Sequence, residues 1–474
     1  MVKRFVTISV LVGSLVLKGA AQQPGPGGAS SYFPISLDKS NPHYFTFRGK
    51  PTILITSAEH YGSVINLDFD YVTYLDILQN YGFNLTRIFL GDYVSAPGFF
   101  DYPEDEPLTP APGRLLAPWA RSSAPGYANG GNKFDLSKWD ETYFKRLRDF
   151  IAEAGKRGIV VEVTLFCPYY ANGLSPCCSD NNIQGLTSTT NTLGNTELVA
   201  VQDAMVEKVV AELKGFDNIY YEACNEPYHG GGPRDWQDHI IQKIVDAEST
   251  FKQKHLIAQG IANYTSTVTV PNPHVSIFNW HYAYLDNQTL TGDIVSRNYK
   301  LNGVLGNDET GTTHDNTLCR REGWETIIAG CGVYNNLDLS FLYTDESGST
   351  APVAPCPNGG GPECRGWIKI LKDFIYGFDF IAMKTDNSVI VSGVPGGARV
   401  RALVREGRQY AIYIRGGSGI INLEVELPEG KYQVQWLNTK NGNIDKTEKI
   451  RHKGGALKLT SPSYSEDIAL SIKK

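Results

Sequence analysis

The feature that most constrains the fold is an alternation of short apolar runs with amphipathic stretches, which continues from about residue 50 to residue 387. In the clearest unit, apolar residues recur at helical spacing over residues 139–154, a turn bounded by glycines follows at 155–158, and residues 159–166 form a continuous β-rich run. The next unit repeats the pattern and ends in the apolar run 219–224. This alternation is typical of repeated βα units and predicts a parallel sheet.

Counting the apolar runs gives the number of strands in this sheet. The candidate strands lie near residues 52–56, 83–90, 159–166, 218–224, 255–260, 275–281, 303–308 and 332–343. Eight is the number that closes a TIM barrel. An open doubly wound sheet is the alternative, but no glycine-rich dinucleotide turn follows the first strand. We therefore predict an α/β fold with a (β/α)8 TIM barrel.

The chain of 474 residues is longer than a single hydrophobic core usually serves, so a second domain is expected. We assign residues 32–387 to the catalytic barrel. After residue 388 apolar and polar residues alternate between glycine-rich turns, as in 409–414 and 432–436, which predicts a small antiparallel β-sandwich over 388–474. The extended segment 32–49 could pair with this sandwich or cap the barrel floor.

The N-terminal segment has the composition of a secretion signal. Basic residues at positions 3 and 4 precede an apolar stretch over 5–17 that is too short to span a bilayer, and small residues follow at 19–21. We expect residues 1–21 to be a signal peptide, residues 22–31 to be a linker, and the protein to be secreted, or periplasmic in a bacterium. No later segment has the roughly 18 apolar residues of a membrane helix, so no membrane partner is expected.

Charge and cysteine content narrow the partners further. The formal net charge is −6 and no run of Lys and Arg could follow a phosphate backbone, so nucleic acid is not expected and a neutral carbohydrate polymer fits better. The eight cysteines lack the repeated C-x2-C pair of structural zinc. In an exported protein they indicate disulfides, with Cys319–Cys331 and Cys356–Cys364 as candidate pairs. The sequence does not indicate an oligomeric state.

Two glutamates stand where catalytic residues of a barrel are expected. Long connections follow predicted strands at 91–137, 167–195 and 310–321, and in a barrel these lie on the C-terminal face. Glu226 follows the fourth predicted strand, and Glu309 closes the seventh. Glycosidic cleavage needs a carboxylic acid to protonate the departing oxygen and a second carboxylate across the anomeric carbon. The pair therefore points to glycoside hydrolysis.

The neighbours of both glutamates bear on their roles. Asn225 could hydrogen-bond the sugar 2-hydroxyl, an interaction that strengthens in the transition state. Asp308 competes with Glu309, because adjacent strand residues face opposite ways and only one of the two is expected to point into the barrel mouth.

Four segments carry a family resemblance: Gly-Phe-Asn-Leu-Thr-Arg-Ile at 82–88, Asn-Glu-Pro at 225–227, Trp-His-Tyr at 280–282 and Glu-Thr-Gly at 309–311. They resemble the motif set of the clan A glycoside hydrolases, the superfamily of the family 5 cellulases and mannanases, over roughly residues 50–345. The resemblance implies that Glu226 is the acid/base and Glu309 the nucleophile. It also implies that Arg87, His281 and Tyr282 are the matching residues around them.

The sequence departs from the family pattern near strands six and eight. His281 and Tyr282 are adjacent where one intervening residue is expected, so Tyr284 competes with Tyr282. No clear Trp stands at the end of the eighth strand, and Trp324 is the candidate substitute. Glu59, together with the histidine that follows it, comes directly after the first strand and is a candidate contact to the sugar at the non-reducing end.

These residues together predict a retaining glycoside hydrolase that cleaves β-glycosidic bonds in a polysaccharide, oligosaccharide or glycoside and needs no metal or organic cofactor. The C-terminal domain resembles the small β-domain of the collagen-binding type. One alternative is a non-catalytic glycan-binding protein on a barrel scaffold, since a fold does not fix function. The other is a metal-dependent barrel hydrolase, although no metal-ligand spacing supports it. Its candidate ligands would be His60, His229, His281, His314 and Asp308.

Overall fold

The computed structural model describes residues 33–167, 173–186, 191–229, 231–283, 293–311, 315–352 and 359–474. The predicted signal peptide and the whole of the predicted linker lie outside these residues. In the first part of the chain the strands are β1 (Ser36–Leu37), β2 (Phe45–Phe47), β3 (Lys50–Thr52), β4 (Leu54–Ala58), β5 (Leu85–Phe89), β6 (Trp119–Pro125), β7 (Asn132–Trp139), β8 (Val160–Thr164), β9 (Ile219–Glu222), β10 (Ile257–Asn263), β11 (Ile277–His281), β12 (Val304–Glu309) and β13 (Val333–Leu337). The helices are α1 (Tyr71–Asn80), α2 (Glu141–Lys156), α3 (Thr196–Leu213), α4 (Arg234–Ala247), α5 (Ile294–Asn298), α6 (Asn316–Ile328) and α7 (Gly361–Tyr376).

One parallel sheet of eight strands forms the barrel, in the order β4-β13-β12-β11-β10-β9-β8-β5. These are the eight strands that the sequence predicts. Where β4 meets β5, the side chain of Asn84 bridges the two: its Oδ1 accepts from the backbone N–H of Ile55 at 2.9 Å, and its Nδ2 donates to the carbonyl of Ile53 at 2.9 Å. The predicted α/β barrel is confirmed.

Helix α2 shows how the sequence builds the outer layer. The carboxylate of Asp140 accepts hydrogen bonds from the N–H groups of Thr142 and Tyr143, which have no partner within the helix. One apolar face of α2 is buried and the other face is polar, so burial of the apolar face holds the helix against the sheet. Gly158, with φ +72°, then turns the chain into β8 in a conformation that glycine adopts without steric cost.

A small antiparallel sheet of β1, β2 and β3 covers the floor of the barrel. Ile35, Phe45 and Phe47 are buried in one apolar cluster with the first residues of the barrel strands, among them Leu54 and Val160. The sequence did not decide whether this segment pairs with the sandwich or caps the barrel floor, and the structure shows that it caps the barrel. An apolar layer therefore seals the N-terminal ends of the strands.

The C-terminal region is a β-sandwich, as the sequence predicts. Its sheets are antiparallel, in the orders β14-β16-β17-β22-β19-β20 and β15-β18-β21, and they enclose an apolar cluster around Trp436. The assignment to the collagen-binding type stays a prediction. The strands are β14 (Lys384–Thr385), β15 (Ile390–Ser392), β16 (Arg399–Arg405), β17 (Gln409–Gly419), β18 (Asn422–Leu427), β19 (Gly430–Leu437), β20 (Ile444–His452), β21 (Gly455–Thr460) and β22 (Tyr464–Lys473).

Helix α6 joins the barrel to the sandwich. Glu325, which is fully buried on α6, lies 2.6 Å from Arg399, 3.1 Å from Arg401 and 2.5 Å from Arg415. Three arginines of the sandwich thus converge on one carboxylate of the barrel.

The expected disulfide between Cys319 and Cys331 is not formed, and no disulfide is present among the described cysteines. Helix α6 continues for nine residues beyond Cys319, which separates the two positions by more than about 13 Å along the helix axis, too far for a disulfide. Cys319 instead contacts Cys364 on α7. The other expected pair involves Cys356, which lies outside the described residues.

The long connection after β5 is not entirely irregular, because β6 and β7 form an antiparallel hairpin within it. The sequence did not predict this hairpin. Among the helices that the structure describes, none combines the length and the apolar composition needed to cross a membrane.

Candidate active site

The two glutamates singled out in the sequence meet at the C-terminal end of the barrel. Glu309 is the last residue of β12, and Glu226 follows β9 by four residues. They are 7% and 9% exposed, so both reach the surface only through a narrow opening. One carboxylate oxygen of each and one ring nitrogen of His281 all lie within 4.8 Å of one another.

Glu309 is surrounded by donors to its carboxylate. Its Oε1 accepts a hydrogen bond from the hydroxyl of Tyr282 at 2.6 Å. Its Oε2 accepts from the hydroxyl of Tyr61 at 3.3 Å and from Nη1 of Arg87 at 3.4 Å. Two hydroxyls and a guanidinium thus direct hydrogen-bond donors at both oxygens of Glu309.

Glu309, rather than Asp308, faces Glu226 at the barrel mouth, but strict alternation of the two side chains does not explain this arrangement. In the ladder between β11 and β12, Trp280 pairs with Asn307 and His281 pairs with Glu309, so Asp308 is an extra residue on its strand. A bulge of this kind breaks the alternation of side chains. Asp308 contacts Asn279 at 2.8 Å, below the opening, while Glu309 faces Glu226.

Backbone strain explains how adjacent residues His281 and Tyr282 both reach the site. Tyr282 has φ +53°, a left-handed conformation that costs a non-glycine residue energy. The turn directs its hydroxyl back to Glu309, while the N–H of Tyr282 donates to the carbonyl of Glu309 at 2.8 Å. Glu226 is also left-handed, with φ +37°. The competing Tyr284 lies outside the described residues.

Glu226 is held by a histidine and a tyrosine. Nδ1 of His281 lies 2.8 Å from its Oε1, and the hydroxyl oxygen of Tyr228 lies 3.4 Å from the same oxygen. Nε2 of His229 lies 3.7 Å from its Oε2. The closest partner of Glu226 is therefore a histidine, which can gain or lose a proton, whereas the donors around Glu309 are two tyrosines and an arginine.

His281 carries a positive charge at neutral pH. Burial alone would lower its pKa, but Glu309, Asp308 and Glu226 outweigh burial and raise the pKa to about 10. The imidazolium therefore donates from Nδ1 to Glu226, and its Nε2 lies 3.4 Å from Asp308. Nδ1 of His281 therefore lies close to the carboxylates of both glutamates.

A buried layer of charge lies below the two glutamates. Arg87, which is fully buried, bonds Glu222 and lies 3.7 Å from Glu162 and 3.9 Å from Asp308. Burial, followed by the charge of Asp308, holds the pKa of Glu162 well above its ordinary value, and burial raises the pKa of Asp308 to about 6. Arg87 also donates from Nη2 to Oδ1 of Asn225 at 3.0 Å, which fixes the orientation of that amide.

Glu59 does not line the opening, contrary to expectation. Its carboxylate accepts from the backbone N–H of Gly62 at 2.9 Å and from the hydroxyl of Ser63 at 2.6 Å, so it folds back on its own loop. The side chain is fully buried, and burial raises its pKa to about 7. The next residue, His60, is the one that lies toward Glu309.

Trp324 is not a substrate-binding residue either. It lies on α6, on the outer layer of the barrel, is fully buried, and stacks on Tyr413 of the sandwich at 5.5 Å between ring centroids. The indole serves the contact between the two domains, because a helix on the outer layer cannot present a side chain to the barrel mouth.

Two tyrosines at the site were missed by the sequence reasoning. Tyr61 follows β4, is left-handed with φ +57°, and lies under the guanidinium of Arg87 at 4.8 Å. The hydroxyl of Tyr228 donates its proton to Oδ1 of Asn263 at 2.6 Å, and its oxygen lies 3.4 Å from Oε1 of Glu226. Their positions just after barrel strands were the only signal in the sequence.

Two groups of side chains have a composition that could hold a metal ion. They are Glu226 with His281 and Glu309, and Glu162 with Glu222 and Asp308. In the second group the guanidinium of Arg87 supplies the positive charge that a cation would supply. Within the described ranges, neither group contains His60 or His229, and His314 lies outside them.

Comparison with solved structures supports the architecture. A glycoside hydrolase matches with a TM-score of 0.62 at 16% identity, over 94% of this chain and 99% of its own. A family 5 glycoside hydrolase from Bacteroides vulgatus matches with a TM-score of 0.62 at 13% identity, over 94% and 96%. A candidate glycoside hydrolase from the same organism matches with a TM-score of 0.67 at 15% identity, over 94% and 82%.

At these identities the likeness shows the fold: a barrel followed by a β-sandwich recurs over nearly the whole chain. No family model matches the sequence, and no curated protein matches it.

Proposed function

We propose that the protein is a secreted retaining glycoside hydrolase that cleaves β-glycosidic bonds. The observation that carries this proposal is the facing pair of carboxylates, with oxygens of Glu226 and Glu309 within 4.8 Å. Retaining enzymes hold their two carboxyl groups about 5 to 5.5 Å apart, whereas inverting enzymes need about 6.5 to 9.5 Å to admit a water molecule. The fold shared with solved glycoside hydrolases agrees with this reading.

The reaction would proceed in two displacements. An oxygen of Glu309 attacks the anomeric carbon, the bond from that carbon to the leaving oxygen breaks, and the leaving oxygen takes the proton of Glu226. Glu226, now a carboxylate, then removes a proton from water. The resulting hydroxide attacks the anomeric carbon and releases Glu309 as a carboxylate.

The surrounding residues fit these two roles. Arg87, Tyr61 and Tyr282 stabilise the negative charge of Glu309 before attack and after release. Nδ1 of the His281 imidazolium lies 2.8 Å from Oε1 of Glu226 and holds that carboxyl group in place, while Glu226 regains its proton from water in the second displacement. None of these steps calls for a metal ion, so activity should survive a chelator.

Two variants test the assignment. Glu309→Ala should abolish hydrolysis of every substrate, because the first displacement has no nucleophile. Glu226→Ala should lose about 100-fold to 10,000-fold on substrates with poor leaving groups and much less on aryl glycosides with good ones. Azide should partly restore its turnover on good leaving groups, since a small anion can take the place of the missing base.

The measurement is hydrolysis of a panel of aryl β-glycosides and β-linked polysaccharides, with the anomeric configuration of the first product followed by NMR. An initial product of inverted configuration would exclude the retaining mechanism. Wild-type protein that binds glycans but hydrolyses none would favour the non-catalytic alternative.

A further inference from the structure

A strap of chain, residues 102–109, crosses the loop after β4 beside the catalytic pair. The two backbones touch: a Cβ on Gly62 would lie 2.1 Å from the carbonyl carbon of Pro107. Nδ2 of Asn66 also donates to the carbonyl of Pro107 at 3.0 Å. Only glycine at position 62 permits this approach, so the strap rests directly on the loop after β4.

A buried carboxylate ties the strap to the same loop. Glu106 is fully buried, and its Oε1 accepts from the hydroxyl of Thr109 at 2.6 Å. Its Oε2 accepts from the N–H of Leu108 at 2.7 Å and lies 3.1 Å from Nδ1 of His60. The carboxylate of Glu106 therefore stabilises the turn of the strap and joins it to His60.

A third connection reaches the loop after β13. The N–H of Tyr343 donates to the carbonyl of Asp105 at 3.0 Å, and the hydroxyl of Thr344 donates to the carboxylate of Asp105. The strap is thus fastened to the loops after two adjacent barrel strands, β4 and β13. It cannot swing away without breaking several bonds.

The strap lies on the Glu309 side of the catalytic pair. The ring of Tyr102 meets the ring of His60 edge-on at 4.8 Å, and His60 in turn lies 5.7 Å from the ring of Tyr61. The hydroxyl of Tyr61 donates to Glu309. The strap and His60 are thus connected to Glu309 through the ring of Tyr61.

The Glu226 side has a different character. Tyr228 contacts both Glu226 and Asn263. Tyr264, which follows Asn263 in the sequence, is 43% exposed. A cavity of about 290 Å³ opens beside Tyr228 and is lined in part by Ile261. Since the acid/base protonates the leaving oxygen, the leaving group departs on this side.

From this asymmetry we infer that the enzyme acts on chain ends, because the strap closes the site to any sugar unit beyond the one attached to Glu309. The inference rests on the proposed function. The sugar that reacts at its anomeric carbon is joined through its other hydroxyls to the non-reducing part of a chain, and that part would collide with the strap. The enzyme would then remove one terminal sugar at a time, with His60 donating to a hydroxyl of that sugar.

The test uses β-linked oligosaccharides of the linkage that the panel shows to be cleaved, with the reducing end converted to the alditol. Chain-end action releases free monosaccharide from the first turnover, and the labelled alditol fragments shorten one unit at a time. It leaves the viscosity of the parent polymer nearly constant early in the reaction. Early internal fragments and a rapid fall in viscosity would overturn chain-end action and leave the proposed function intact. Absence of hydrolysis on the whole panel would overturn both.

Two variants test the role of the strap. His60→Ala and Tyr102→Ala should each raise the ratio of internal to terminal cleavage by about tenfold, because they remove the side chains that the next sugar would meet. Glu104→Ala is the matched control, since this side chain is exposed on the strap itself and should leave the ratio unchanged, whereas the ring of Phe100 packs on Tyr102. Folded variants with the wild-type ratio would show that the strap does not set the mode of action.

Discussion

At the scale of single residues, the site depends on one arginine. Arg87 is fully buried and lies within 4 Å of four carboxylates. These are Glu162, Glu222, Asp308 and Glu309. Taking that many charges out of water is costly unless they are paired with good geometry, and a planar guanidinium can serve several acceptors at once.

Arg87→Lys keeps the charge but loses the fork of donors. We expect kcat/KM to fall about 100-fold, because Glu309 loses a preorganised donor, and the free energy of unfolding to fall by about 1 to 3 kcal/mol as bonds to Glu222 and Asn225 are lost. Enzyme kinetics and urea unfolding measure the two effects. Arg114→Lys is the control, because Arg114 is 46% exposed in its pair with Asp68 and should leave both kcat/KM and the midpoint of urea unfolding nearly unchanged. Equal behaviour of the two variants would contradict this view of Arg87.

His281 makes stability depend on pH. Its folded pKa, raised to about 10 by the surrounding carboxylates against the effect of burial, exceeds the ordinary value of 6.5. The stabilisation that the imidazolium provides is therefore fully present below about pH 6.5 and is lost as the pH rises through about 10. The difference in unfolding free energy between wild type and His281→Gln should shrink from pH 7 to pH 10.5, as measured by urea unfolding. A difference that stays constant over this range would refute the assignment.

The sequence located most of the site's residues but not their geometry. Glu226, Arg87 and His281 stand at ends or interiors of strands whose pattern is readable, so their convergence could be predicted. Glu59 was misplaced, because whether a residue just after a strand faces the opening depends on how the loop turns. Tyr61 was missed for the same reason: its left-handed backbone leaves no mark in a sequence of ordinary residues.

At the scale of elements, the apolar runs predicted the eight strands well because each is buried on both faces and reads as a continuous hydrophobic segment. The pattern of apolar residues in the sequence does not show where the pairing between strands is irregular. The bulge at Asp308, which turns two successive side chains inward, has no signature in the apolar pattern. The hairpin of β6 and β7 does have a turn signal, the Asn-Gly-Gly at 129–131, but its two strands are too polar to stand out as apolar runs.

The seam between β4 and β5 gives a prediction at this scale. Asn84→Ala would leave the N–H of Ile55 without its side-chain acceptor, at a cost of about 1 to 3 kcal/mol, whereas the carbonyl of Ile53 keeps its bond from the hydroxyl of Tyr376 at 2.7 Å. We expect the midpoint of urea unfolding to fall accordingly. Asn443→Ala, at an exposed turn of the sandwich, should stay within about 0.5 kcal/mol of wild type. If Asn84→Ala is as stable as that control, the amide does not close the barrel.

At the scale of the whole molecule, the barrel contacts the sandwich through helix α6. Its indole of Trp324 stacks on Tyr413, and its carboxylate of Glu325 meets three arginines of the sandwich. Sequence patterning predicted two domains but not how they pack together. Helix α6 has little amphipathic character, so its sequence does not show that its buried Trp and Glu face the sandwich rather than the core of the barrel. Such an interface should make the two parts unfold together.

Glu325→Gln tests this coupling with a change of charge and almost none of shape. It leaves Arg399 and Arg415, which are 9% and 4% exposed, without the carboxylate between them, and breaking a buried pair in this way costs about 3 to 5 kcal/mol. Calorimetry should show one transition at a lower temperature, with kcat of the folded enzyme unchanged because α6 contributes no group to the site. Glu448→Gln removes only an exposed pair with Lys446 and should change stability by under about 1 kcal/mol. If the Glu325→Gln variant shows two separate transitions, with the sandwich melting first, then the charge cluster is what couples the two domains. If the wild type already shows two transitions, then the domains unfold independently and the coupling proposed here is wrong.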